Sequence, residues 1–230
     1  MTARLQERLA DPESSSRMQT ALAAGMRPQD EYVEILIARC AVEPDFSVRD
    51  TLTWALTRHP SAVTVPRLLT EARNGSDQAR SQALHTLSKI GDPAGWAAIT
   101  DANLRNPDDE VARSAWRAAV ILAPPDARSP LAAALATQLG RGGRDVRLSL
   151  SRALAALGGV ADTVLAVAAT HEDDEVRTHA LATQRLVSHP DEGFDASMFE
   201  ARRALALLEV PSGTDVPAPD LNMPESSAGA

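Results

Sequence analysis

The chain has 230 residues, 44% of them hydrophobic and only 3% aromatic, with a formal charge of -8 at neutral pH. The negative balance disfavours nucleic acid as a partner, leaving room only for a local basic stripe. Cys40 is the only cysteine, which excludes an intramolecular disulfide and a thiolate zinc cluster; within the run ILIARCA it reads as a small core side chain.

Residues 2–10 predict a short amphipathic helix with Leu5 and Leu9 inward and Arg4, Gln6, Glu7 and Arg8 on a polar outer side. A second helix, ESSSRMQTALAAGM, starts at Glu13, and Met26-Arg27-Pro28 turns the chain. Helices then follow over 30–41, from the cap Asp45 (DFSVRDTLTWALTR), over 61–73 and from the cap Ser76 (SDQARSQALHTLSK). Asp92-Pro93 and Ser129-Pro130 each place a capping residue before proline, the signature of a first helical turn. Between and after them stand DEVARSAWRAAVIL from Asp109, GRDVRLSLSRALAA from Gly143, a helix over 160–169 and DDEVRTHALATQRL from Asp173. Asp195 caps a closing helix over 196–208. From about residue 210 the composition turns to proline, serine and glycine with few bulky apolar residues, which predicts a disordered tail over 210–230.

Six of these segments are copies of one pattern. Their arginines, Arg17, Arg49, Arg80, Arg113, Arg147 and Arg177, are separated by 32, 31, 33, 34 and 30 residues. A period near this length marks a repeat array. Four residues before each arginine stand Glu13, Asp45, Ser76, Asp109, Gly143 and Asp173, all but the first favoured helix N-caps. Apolar residues fall one before the arginine and three, six, seven and ten after it, which collects them on one side of a helix. A helix of this length is marginal alone and must be covered by a neighbour. The fold class is therefore all-α: about six helix pairs stacked as a right-handed α-solenoid over residues 1–209, with an added C-terminal helix.

The run D-x-x-x-V-R-x-x-A-x-x-A-L resembles the second helix of a HEAT repeat in its short form, as in phycobiliprotein-lyase-type HEAT proteins. Asp45/Arg49, Asp109/Arg113 and Asp173/Arg177 match both motif positions; Ser76 and Gly143 replace the aspartate. The resemblance implies that the motif residues form a structural ladder between neighbouring repeats and that the second helices line a concave side. Geometry places the residues one, four, five and eight after each arginine on the exposed side. That row includes Asp50, Trp54 and Thr57, then Ser81, Leu84, His85 and Ser88. It continues through Ser114, Arg117 and Ile121, then Leu148, Arg152 and Ala155, then Thr178, Leu181 and Arg185.

Trp54 is the candidate recognition anchor, since a large ring in a solvent row suits a binding hot spot. Arg117, Arg152 and Arg185 could grip carboxylates or phosphates through the guanidinium fork, and His85 sits among them. Trp96 and Trp116 read as packing. No catalytic, cofactor or metal residue is expected: only His171-Glu172 matches the several His-Glu dyads of a deoxyhypusine-hydroxylase-type HEAT metalloenzyme, and no nucleophile or phosphate motif occurs. The expected function is a non-enzymatic scaffold binding a protein or peptide partner. The alternatives are an alkylpurine-glycosylase-like DNA-binding protein and a chromophore-lyase or small-molecule binder. No run approaches ~18 consecutive apolar residues and no signal peptide is visible, so a cytoplasmic location without a membrane partner is expected.

Overall fold

The computed structural model describes residues 2–208; the expected tail over 210–230 lies outside them. Among the described residues helices are the only regular elements and there is no strand. Its α-helices are α1 (Thr2–Leu9), α2 (Ser14–Met26), α3 (Tyr32–Cys40), α4 (Phe46–Thr57), α5 (Ser61–Asn74), α6 (Asp77–Ile90) and α7 (Asp101–Leu104). They continue as α8 (Asp109–Leu122), α9 (Arg128–Ala136), α10 (Arg144–Leu157), α11 (Asp162–Ala168), α12 (Asp174–Ser188) and α13 (Gly193–Leu208).

The six motif helices are α2, α4, α6, α8, α10 and α12, and each packs directly on the next. Behind them α3, α5, α7, α9 and α11 each pack on the motif helix that follows, and α13 lies on α12. The predicted apolar positions form the buried face: Val48, Leu52, Ala55 and Leu56 in α4, and Val146, Leu150, Ala153, Leu154 and Leu157 in α10. The stretch Arg144–Ala168 is long and apolar enough to cross a membrane by length and composition. It is not one rod, because Gly158 at φ +66 separates α10 from α11.

Three motif-helix caps do what their side chains predict. Asp45 accepts from the Val48 N–H at 3.1 Å, Ser76 from Ala79, and Asp173 from Glu175 and Val176. In α8, however, the cap is Asp108, not Asp109: its Oδ1 accepts from both Glu110 and Val111 at 3.0 Å. Two adjacent aspartates compete for one cap, and the structure puts the whole α8 copy one residue out of step with its arginine. Ser129 is not a cap either. The 3-10 turn Pro125–Ala127 runs straight into α9, which begins at Arg128. Asp195 lies inside the first turn of α13, where its carboxylate takes two 2.7 Å bonds from Arg144.

The segment opened by Asp92-Pro93 is a 3-10 stretch, Pro93–Ala98, followed by the single turn α7. Gly95 lets it lie close to Leu87 and Leu122: a Cβ there would stand 3.2 Å from Leu122 Cδ1. Buried Asn103 donates to the Ala72 and Ala98 carbonyls and ties the break in place.

The motif arginines mostly hold their own entry loops rather than rungs between neighbours. Arg17 Nη1 donates to the Asp11 and Pro12 carbonyls at 2.9 and 2.8 Å. Arg49 does the same to Glu43 and Pro44, Arg80 to Arg73 and Gly75, and Arg177 to His171 and Glu172. Arg147 reaches the Gly140 and Gly142 carbonyls and also pairs with Glu175 of the next motif helix. Arg113, displaced by the shifted cap, does not reach its loop. Arg141 takes its place from the following loop, donating to the Asn106 and Pro107 carbonyls and to Asp109.

The most deeply buried charge is Glu43. It accepts from Arg17 Nε at 2.8 Å and Nη2 at 2.7 Å, from Arg39 Nε at 2.8 Å, and from the Asp45 N–H at 2.9 Å. Burial by itself would raise its pKa, but the Arg17, Asp45 and Arg39 hydrogen bonds outweigh burial and hold it at about 2. Its charged form thus stabilises the fold above pH ~4.5, and that contribution is lost as pH falls toward ~2. Removing only this charge leaves Arg17 buried without a counter-ion. Glu43→Gln should cost about 3–5 kcal/mol, the usual penalty for breaking a buried pair, measured as a lower urea midpoint at pH 7. The difference from the parent chain should shrink when both are unfolded near pH 3.

Candidate functional site

Counting from the observed caps rather than from the arginines aligns four of the candidate residues. Trp54, His85, Arg117 and Arg152 each stand nine positions after their caps, Asp45, Ser76, Asp108 and Gly143. They occupy the same turn of four successive, mutually packed helices. The fifth position in this register, Ala182, is covered by Phe194, Met198 and Ala201 of α13.

Much of the predicted exposed row is not exposed. Ser81, Ser114, Thr178, Leu84 and Ser88 are buried, because the motif helices touch each other along this side and close over it. Small hydroxyl pairs fill the seams: Ser81–Ser114 at 2.9 Å, Thr53–Thr86 at 3.3 Å and Ser151–Thr183 at 2.7 Å. Asp50, Arg117, Ile121 and Arg152 do reach solvent. Arg185 leaves the group. Its guanidinium forks onto Glu192 at 2.7 and 3.0 Å and braces the turn into α13.

Trp54 is 39% exposed. Its six-membered ring rests on Gly25 of α2, where a Cβ would come within 2.5 Å of Cζ3 and 2.9 Å of the Ala55 Cα. The ring is therefore fixed by the preceding motif helix, with one edge left to solvent. Trp116 is wholly buried and donates from Nε1 to the Leu104 carbonyl at 2.8 Å.

Between α8 and α10 lies an open cavity of about 490 Å³ lined by Arg113, Arg117, Val120, Asp145, Leu148 and Arg152. That is within the usual range for ligand sites. Arg113, expected to be purely structural, faces this cavity and pairs with Glu110. The one-residue slip set by Asp108 put it there, and the tandem DD of the sequence is the only local sign of that slip. Arg117 reaches His85 Nδ1 at 3.3 Å. Burial first, then the charges of Arg117 and Lys89, lower the His85 pKa, so at neutral pH it accepts from Arg117 as a neutral ring. Arg152 has no hydrogen bond or ion pair among the described residues. Of the three cavity arginines, Arg113 is paired with Glu110, while Arg117 and Arg152 have no carboxylate partner among the described residues.

A second hollow, about 520 Å³ and mainly apolar, lies on the other helices between α9 and α11, lined by Ala136, Leu139, Val164, Val167 and Val176. No cluster of three or more His, Cys, Asp or Glu side chains placed to hold a metal occurs among the described residues. His171 instead accepts the Asp173 N–H in the turn before α12.

His179 is fully buried where α12 meets α10 and was not singled out by its sequence context. Its Nδ1 accepts from the Gly140 N–H at 3.1 Å, so Nε2 carries the proton, facing the Arg147 carbonyl and Ser151 Oγ at 3.0 Å. Burial, opposed by the Arg147 carbonyl and aided by the Arg147 charge, lowers its pKa to about 4. Protonation at Nδ1 would also break the Gly140 bond. No protein-family model matches the chain, and no curated protein matches it.

Two outcomes follow from these contacts. Below pH ~6.5 the unfolded chain takes up a proton on this histidine that the folded chain refuses, so stability should fall by about 3 kcal/mol between pH ~6.5 and ~4. His179→Gln should flatten that part of a pH series of thermal midpoints. Gly25→Ala should destabilise the fold by about 1–2 kcal/mol, read as a lower urea midpoint, because the Ala55 backbone cannot retreat and overpacking exceeds the gain in helix propensity. Tryptophan emission should shift to the red as the Trp54 ring is lifted off α2.

Proposed function

We propose that this protein is a non-enzymatic interaction module of HEAT-like helix pairs, stacked as a right-handed α-solenoid, that binds an acidic peptide segment of a protein partner. The observation that carries the reading is the cavity where Arg117 and Arg152, neither with a carboxylate partner among the described residues, converge beside Arg113. An uncompensated guanidinium in a hollow favours a planar carboxylate, with which it forms two parallel bonds. Val120, Leu148 and Ala153 give the same cavity an apolar floor, which suits a chain segment with apolar side chains beside its acids. The aligned Trp54 edge and His85 extend the surface along the neighbouring helices. The side-by-side packing of successive motif helices supports the stacked arrangement, and a net charge of -8 disfavours an extended nucleic-acid backbone.

A fluorescein-labelled peptide with alternating glutamate and leucine, titrated with the protein and followed by anisotropy, tests this. Arg117→Ala and Arg152→Ala should each weaken binding about tenfold or more, the usual loss for a charge-assisted bond. Arg185→Ala should leave it unchanged. Equal binding by all four proteins, or none by the parent chain, would sink the proposal.

A further inference from the structure

We infer that the chain carries its own occupant for this cavity: the segment 209–230 docks in cis between α8 and α10, with its carboxylates on Arg117 and Arg152. The inference rests on the acidic-peptide reading above and names the ligand. The segment contains Glu209, Asp215, Asp220 and Glu225 and no lysine, arginine or histidine. Opposite it stand Arg117 and Arg152, without a carboxylate partner among the described residues, while Arg113 is paired with Glu110 and the one carboxylate in the cavity lining, Asp145, is engaged by Arg144 at 3.1 Å. Charge complementarity is therefore local and of the right sign.

Position agrees with charge. α13, which ends at Leu208, lays Phe194, Met198 and Ala201 against Leu148 of α10. Leu148 also lines the cavity, so the segment leaves from a helix adjoining the site. Its reach is ample, since 209–230 can extend to at most about 70 Å while α10 is about 21 Å long. Asp220 is followed by Leu221 and Met223, apolar side chains that match the Val120 and Leu148 floor. Pro211, Pro217, Pro219 and Pro224 restrict the backbone before docking and so lower the entropy lost on it. A tether of this kind supplies an effective concentration near ~1 mM. A weak intrinsic affinity then suffices to keep the cavity filled, and an external partner must displace the segment.

The chain has one lysine, Lys89, so Arg152→Lys in the full chain adds one new amine in the cavity. Carbodiimide treatment should join position 152 to Asp215, Asp220 or Glu225, as mapped by peptide mass spectrometry. The yield should not depend on protein concentration and should collapse in about 0.5 M salt, where charges are screened within a few Å. No such bond, or bonds only between chains, overturns the inference. A second arm uses the acidic anisotropy probe on the full chain with Arg152 intact. The triple variant Asp215→Asn, Asp220→Asn, Glu225→Gln should bind the probe about fivefold to tenfold more tightly, because its tethered competitor is weakened. Equal probe binding by both chains rejects the docked segment while the acid-binding cavity stands. Probe binding by neither, with no bond at position 152, rejects both.

Discussion

A helix entered from a tight loop leaves the carbonyls of that loop without helical partners, and here a guanidinium answers them. Five of the six motif arginines fold back onto carbonyls five to seven residues earlier. This bond sets the angle at which each motif helix leaves its loop, and hence how it meets the motif helices on either side. Where the first loop meets the second, Glu43 adds a buried counter-charge to Arg17 and Arg39. Neither arginine nor carboxylate is tolerable there alone, since each would be a charge out of water without a partner.

The exception shows what the bond does. In α8 the cap moved to Asp108, the arginine moved with the register, and the loop carbonyls were left to Arg141 from the next connection. Substitution by a residue 28 positions later (113 to 141) argues that the carbonyls must be satisfied, whichever side chain does it. Arg113, freed from its loop, joins Arg117 and Arg152 in the cavity lining, where it pairs with Glu110. A structural slip and the candidate site are the same event.

The two ends of the motif-helix series are finished differently. At the amino end α1 covers the series with Leu5 and Leu9, leaving its polar side outward. At the carboxyl end α13 lies over α12, covers Ala182 and holds α10 through Arg144 and Asp195. The row of exposed side chains therefore stops at Arg152, and the cavity lies beside the closing helix. Burial of the small hydroxyl residues in the seams explains why the aligned surface is narrow. The position nine after the cap is the one that lines up across four successive motif helices.

Most motif-helix caps and the buried faces were legible in the amino-acid sequence, because each depends on residues within three or four positions of one another, and the period was legible because the same local pattern recurs. Local pattern sufficed to say that the regular elements within residues 2–208 would be helices and that Leu52, Leu150 and their counterparts would face inward. The sequence did not say which of Asp108 and Asp109 caps α8, that 93–98 would tighten into a 3-10 turn, or that Arg185 would be taken by Glu192. Nor could it show that Trp54 rests on Gly25, 29 residues earlier (54 to 25). Those outcomes were decided only by packing. Which side of a helix is wet depends on the neighbour that lies against it, and the neighbours here meet across 30 residues or so, far beyond the reach of any helical period.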